Sequence, residues 1–221
     1  MDKIVIRAVK EADLSDITRI HIASFKDRAL SQMGFSTVRR YYAWLLTGFS
    51  MIHPVCAVNQ EGIIAGYCFS GLFAGSLIGF LKNNKGFLIK QILKRPRLLF
   101  NPIVQEQARL ALKTLYKIAR YDRKNKSKGV ESDRKEHGEI PPFLGILSIA
   151  VDPVYQRLGI AGEMMASVKK WAINTGFKGM NLSVHQDNLA AITFYEKLGF
   201  NKVSHTEEWK GEMRKLFKDE K

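Results

Sequence analysis

The residues from Leu147 to Gly162, LSIAVDPVYQRLGIAG, are of the types that can hold an anion. A strongly apolar run ends in a turn at Asp152-Pro153, and Gln156-Arg157-Leu158-Gly159-Ile160-Ala161-Gly162 then opens a helix. Small residues at a helix start let several backbone N–H groups face one point. The helix dipole adds partial positive charge there and Arg157 adds a full one, which suits a diphosphate. The spacing is neither the G-x-G-x-x-G of dinucleotide folds nor the P-loop, which needs Gly-Lys-Ser/Thr. On its own, such a turn also serves as punctuation between strand and helix.

A second block narrows the reading. It runs from Asn181 to Phe200, NLSVHQDNLAAITFYEKLGF. Together the two blocks resemble the GNAT superfamily of acetyl-CoA-dependent N-acetyltransferases. The first resembles its Gln/Arg-x-x-Gly-x-Gly/Ala signature at Gln156, Gly159 and Ala161. The second resembles the element that follows, at Asn188, Ala191, Phe194-Tyr195 and Gly199-Phe200. The resemblance covers Ile4 to Ile78 loosely and Leu144 to Phe217 well. It implies the acyl-CoA N-acyltransferase fold, of α/β (α+β) class. That fold is a central mixed, mostly antiparallel twisted sheet flanked by helices.

The resemblance also implies roles. The backbone of Ile149, Ala150 and Val151 would pair with the pantetheine arm of acetyl-CoA like an added strand. The N–H groups of Arg157 to Gly162 would hold the diphosphate, beside Gln156. Asn188 would contact the coenzyme arm, and Tyr195 would protonate the leaving thiolate as general acid. Tyr195 also reads as a packing aromatic and Asn188 as a helix N-cap. A neutral amine would attack the thioester directly, its carbonyl polarised by a backbone N–H such as that of Val151. No metal and no covalent enzyme intermediate is needed, so Cys56 and Cys68 read as core.

The base departs from the family pattern. In the ribosomal-protein N-terminal acetyltransferases, a glutamate stands five residues before the Asn; here that position is Ser183. The departure argues against a protein N-terminus as acceptor. His185, Glu139 and His21 remain as candidates, and Ser148 is the polar residue of the strand before the cradle. The family places its acceptor near the first two helices, which here gives Phe25, Arg28, Phe35 and Tyr42, with Gln32 and Arg39 beside them. Each aromatic also reads as helix packing.

These residues need a scaffold, and the pattern supplies one. Ile4-Val5-Ile6-Arg7 begins as a strand, and Asp13 is a candidate N-cap for a helix with Leu14, Ile17, Ile20 and His21. Val38, Tyr41, Tyr42, Leu45 and Leu46 predict a second helix. Val55–Val58 and Ile63–Phe69 flank Asn59-Gln60-Glu61-Gly62 as a β-hairpin. Leu144–Val151 is a strand, Gly159–Thr175 a helix, Met180–Val184 a strand and Asn188–Leu198 a helix. Val203 and Met213–Phe217 supply the last strands. With 221 residues, the chain reads as a single N-acetyltransferase domain, 1–221, with an insertion at about 79–142.

The formal net charge is +14, and the insertion carries most of it. Phe80 to Pro142 holds 16 Lys/Arg against 6 Asp/Glu, a net of +10. Its pattern predicts helices over about 80–121, with breaks at Pro96 and Pro102, and a mobile loop over about 122–140. Leaving one strand and re-entering at the next, it could fold over the acceptor entrance. The basic face has three readings. It is a solvated surface, an attraction for an anionic acceptor such as a nucleotide-linked amino sugar, or a peripheral contact with an anionic membrane through Lys82 to Arg97. No nucleic-acid motif accompanies the charge, so specific nucleic-acid binding is not expected. Two cysteines exclude a disulfide scaffold, and a charged start excludes a signal peptide; the expectation is a cytoplasmic protein.

The reaction this predicts is acetyl transfer from acetyl-CoA to a primary amine of a small, anionic acceptor. Acetylation of a protein N-terminus or lysine is the alternative. A non-catalytic CoA-binding module acting through its basic insertion is the alternative of another class. Oligomeric state is left open.

Overall fold

The computed structural model describes residues 4–48, 51–72, 76–96, 143–204 and 206–217, with isolated positions between 100 and 109. Arg97, Glu139, the expected mobile loop and, apart from helical Gln105 and Arg109, the insertion's expected second helix lie outside the described residues.

Alternating apolar residues pair the first strands into an antiparallel meander. β1 (Val5–Ala8) pairs with β2 (Ile52–Val58), which pairs with β3 (Ile64–Gly71). The β2–β3 turn is tied by Asn59, whose Oδ1 accepts from the N–H groups of Glu61 and Ile63 at 3.1 and 2.8 Å. Gly62 supplies the left-handed backbone, φ +83°, that this turn requires. β4 (Phe143–Val151) continues the sheet antiparallel to β3 and parallel to β5 (Gly179–Ser183). β6 (Asn201–Lys202) and β7 (Glu212–Leu216) complete the order β1-β2-β3-β4-β5-β7-β6.

Helices cover both faces, which is why every residue of β3 is buried. On one face lie α1 (Leu14–Ser24), a single turn α2 (Ala29–Gln32) and α3 (Phe35–Gly48). Leu14, Ile17, Val38, Tyr42 and Leu45 bury against Tyr67 and Phe69 there. On the other face α6 (Ile160–Asn174) and α7 (Leu189–Lys197) bury Met164, Met165, Val168, Ile192 and Tyr195 against Val55, Ala57 and Leu144. Cys56 and Cys68 are buried in adjacent strands, as their pattern predicts. Burial pushes both thiols up to about 12, which removes them as nucleophiles.

Two local expectations are corrected. Asp13 stands at the N-cap position of α1, but its side chain makes no cap bond to that helix. A 3-10 turn at Glu11–Asp13 precedes that helix, and the Asp13 carboxylate accepts from the Lys10 N–H at 2.7 Å. It also takes two bonds from the Arg7 guanidinium, at 2.7 and 2.9 Å. The insertion's first helix is broken at Asn84 rather than only at Pro96. It forms α4 (Ser76–Asn83) and α5 (Lys85–Lys94). Tertiary contact is the cause, because Arg40 of α3 donates to Asn84 Oδ1 at 2.6 Å and covers the Phe87 ring at 4.7 Å. Phe80 meets Tyr41 edge-on at 5.3 Å. Residues 76–96 thus dock on the flank of α3.

The Arg7 hydrogen bonds hold the Asp13 carboxyl below the usual carboxylate range. Stability from the pair is therefore present above the unfolded value of about 3.9 and lost as pH falls through the lower folded value. Asp13→Asn is expected to cost about 1–3 kcal/mol at pH 7 by chemical denaturation. The difference from the wild type should shrink when the same measurement is made at acid pH.

Candidate functional site

One irregularity in the sheet creates the cleft. β4 and β5 share four registered pairs, from Phe143 opposite Gly179 to Ile146 opposite Leu182. Against β3, β4 continues to Val151 opposite Gly66, with a bulge that leaves Leu147 unmatched. A bulge adds local twist and bends its strand. Beyond Ile146 the two parallel strands part, and among the described residues the β5-facing edge of Leu147–Val151 has no neighbouring strand. The opening is a cleft of about 740 Å³. Its walls are Ile146–Ile149, Leu182–Gln186, the start of α7 and the C-terminal end of α1, with Glu208 and Lys210 opposite.

At the far end of β4 the chain turns into α6. Asp152 N–H donates to Ala65 O at 2.9 Å, and Asp152 Oδ1 accepts from Val154 N–H at 3.0 Å. Gln156 Nε2 donates back to Val151 O at 3.2 Å. Two residues then hold left-handed backbone, Arg157 at φ 66° and Gly159 at φ 80°. Such a conformation is uncommon for a residue with a Cβ, and it turns successive N–H groups toward one side. The helix's first return bond is Glu163 N–H to Gly159 O. The N–H groups of Ile160, Ala161 and Gly162 therefore sit at the open positive end of the helix. Gln156 to Gly159 are exposed, whereas the Ile160 and Ala150 side chains belong to the core. Only the main chain of those two can meet a ligand.

The cleft brings several candidates together. Tyr195 lines it and is 8% exposed. Burial pushes its phenol well up, so the group stays protonated and able to donate. Asn188 lines the cleft and also caps α7, its Oδ1 accepting from Ala191 N–H at 3.1 Å. Both of its readings are compatible with this position. His185 is at the rim, half exposed, with Nδ1 3.4 Å from an Asp187 carboxylate oxygen. Phe25 and Arg28 line the acceptor end. Phe35 does not; it faces a separate groove with Arg39 and Trp44. Tyr42 is fully buried behind the cleft wall and touches it through Ser148. Among the described residues, nothing from the insertion lines the cleft, so residues 76–96 are not a cover for the acceptor entrance.

Sequence reasoning missed Tyr67. It sits mid-strand in an apolar run, and nothing local distinguishes its hydroxyl from a core tyrosine's. The structure joins it to Ser148, Tyr42 and His21.

Comparison with known proteins agrees with this geometry. Residues 129–200 match the model of the Acetyltransferase (GNAT) family. The chain is 37% identical over 59 residues to the [ribosomal protein bS18]-alanine N-acetyltransferase of Escherichia coli (strain K12), covering 27% of this chain and 40% of that protein. It is 33% identical over 65 residues to the uncharacterized N-acetyltransferase YobR of Bacillus subtilis, covering 29% and 26%. The alignments thus span well under half the length of these curated relatives. Over nearly the whole chain the fold is shared. The PaiA N-acetyltransferase of Thermoplasma acidophilum, solved with coenzyme A, aligns with a TM-score of 0.54 at 12% identity over 97% of this chain and 99% of that one. The E. coli ribosomal-protein-S18-alanine N-acetyltransferase gives 0.52 at 14% identity over 99% and 98%. The GNAT family match contains the Gln156–Gly162 turn, α6 and α7. His21, Phe25 and Arg28 lie outside it.

Proposed function

We propose that this chain transfers an acetyl group from acetyl-CoA to a primary amine of a small, anionic acceptor. The open β4 edge carries the reading. It leads from a turn rich in free N–H groups to a buried, protonated Tyr195. Ile149 to Val151 would pair with the pantetheine arm, and Arg157 to Gly162 would hold the diphosphate, with Gln156 bracing the turn. Asn188 would contact the arm from the start of α7. The amine attacks from the α1 side, and Tyr195 protonates the thiolate. Arg28 lies on that side, and Lys210 lines the same cleft with one carboxylate, Glu208, a balance that favours an acceptor bearing phosphate or carboxylate.

The relatives' named activities concern a ribosomal protein and, among solved structures, aminoglycosides. Thiol release with acetyl-CoA separates these classes. Amino-sugar phosphates and a nucleotide-linked amino sugar should outperform a peptide with N-terminal alanine and an aminoglycoside, and added salt should narrow the advantage. Tyr195→Phe should lower kcat by about 10²–10⁴-fold with little change in acetyl-CoA affinity. Coenzyme binding without thiol release to any amine would favour the non-catalytic reading.

The basic insertion supports a peripheral contact with an anionic membrane. Ile89 and Leu93, one turn apart on α5, are 58% and 76% exposed. Lys85, Lys90 and Lys94 flank them, Lys82 lies close by, and α4 and α5 contain no acidic residue. No helix among the described residues is long and apolar enough to cross a membrane, so the contact would lie on the surface. The protein should sediment with vesicles containing phosphatidylglycerol but not with phosphatidylcholine alone. Leu93→Glu should abolish that retention; equal sedimentation of the variant would contradict the contact.

A further inference from the structure

Behind the bulge lies a buried polar cluster that acetyl-CoA binding does not explain. Ser148 and His21 both line the cleft, and Ser148 Oγ is 2.9 Å from Tyr42 Oη and 3.1 Å from Tyr67 Oη. The two phenol oxygens are 2.8 Å apart. His21 Nδ1 lies 2.7 Å from Tyr42 Oη and 3.2 Å from Tyr67 Oη. Residues from α1, α3, β3 and β4 therefore converge on one point inside an otherwise apolar cluster. Tyr42 and Tyr67 are fully buried and His21 is 7% exposed. His21 Nε2 is buried without a hydrogen-bond partner among the described residues. Packing alone would be served as well by phenylalanine and leucine, without the cost of burying polar atoms.

The cluster is electrically neutral at rest. Burial holds both phenols protonated and pushes His21 down to about 4. Two proton arrangements satisfy it. With Nδ1 bare, Tyr42 donates to Nδ1 and Ser148 donates to Tyr42, which turns a Ser148 lone pair toward the cleft. With Nδ1 protonated, the donors run outward and the Ser148 hydroxyl proton faces the cleft. A proton entering at Ser148 thus reaches Nδ1 by short hops along bonds already formed.

We propose that Ser148 contacts the attacking amine and that Tyr42, braced by Tyr67, relays the amine's proton to His21 Nδ1. As the amine nitrogen bonds to the acetyl carbon, its N–H bond breaks toward Ser148 Oγ. Ser148 passes its own proton to Tyr42, and Tyr42 passes its own to His21. The C–S bond breaks, the thiolate takes the electron pair, and Tyr195 supplies its proton. His21 ends as imidazolium and Tyr195 as phenolate, and proton exchange with water restores both. The burial that keeps His21 neutral drives its proton back out. Ser148 is the catalytic residue here; Tyr42, Tyr67 and His21 act through it. His21 takes the part that a carboxylate would play.

This inference rests on the acetyl-transfer reading, and one experiment separates them. Acetyl transfer is measured for wild type, Tyr42→Phe and His21→Leu with two phosphate-bearing primary amines. One has the basicity of an α-amine, about 8, and the other that of an alkylamine, about 10.4. A more basic amine holds its proton more tightly after attack and depends more on a relay. Tyr42→Phe keeps the ring contacts, so coenzyme A affinity should stay within about twofold as a check on folding. Its kcat should fall about 10²-fold or more with the more basic amine and at least tenfold less with the weaker one. His21→Leu should reproduce the pattern. Equal losses with both amines, or no loss, would overturn the relay while leaving acetyl transfer intact. A wild-type protein that acetylates neither amine would overturn both.

Discussion

The divergence of β4 from β5 is the constraint on which the site depends. Two strands that begin as a parallel pair can separate only if something bends one of them, and the unmatched Leu147 does this at the last paired position. The consequence is a strand edge inside the protein. Exposed N–H and C=O groups on such an edge demand a partner, and an extended ligand with amide groups can be one. Every other candidate residue is placed relative to this edge. The turn with the two left-handed residues lies beyond its end, α7 brings Tyr195 to the same cleft, and Ser148 follows the bulge directly.

Burial on both faces lets the sheet tolerate the opening. β3 is covered along its whole length, and β4 stays paired with it from Ser148 to Val151, where the parallel pairing with β5 has ended. The two apolar clusters also set the chemistry at the cleft's walls. Tyr195 belongs to one cluster and Tyr42, Tyr67 and Ala150 to the other. Phenols in such surroundings stay protonated, and a histidine there stays neutral. The candidate phenols and histidine are thus set by desolvation, whereas Arg28, Lys210 and Arg157 are exposed to solvent.

How much of this was legible in the sequence depends on range. The Gln156–Gly162 turn, the Asn188 cap and Tyr195 lie within two short blocks; the sheet class followed from the resemblance those blocks carry, while alternation and turn residues marked only the individual strands. The parts set by tertiary contact were not legible. Asn84 breaks a helix because Arg40, far away in the chain, reaches it. Asp13 looks like a helix cap until Arg7 claims its carboxylate. Phe35 has the right neighbours for the acceptor region, but α3 turns it into a different groove. Tyr42 and Tyr67 were legible as buried aromatics but not as a pair, because their strand and helix are joined only by folding. The concentration of charge in the insertion was plain, yet its described part turned out to pack beside α3, away from the cleft.

Amide hydrogen exchange, with and without coenzyme A, tests the central claim most directly. If the open β4 edge receives the pantetheine arm and the turn receives the diphosphate, coenzyme A will slow exchange at Ser148–Val151 and at Arg157–Gly162 together. Protection elsewhere with both segments unchanged would contradict the account.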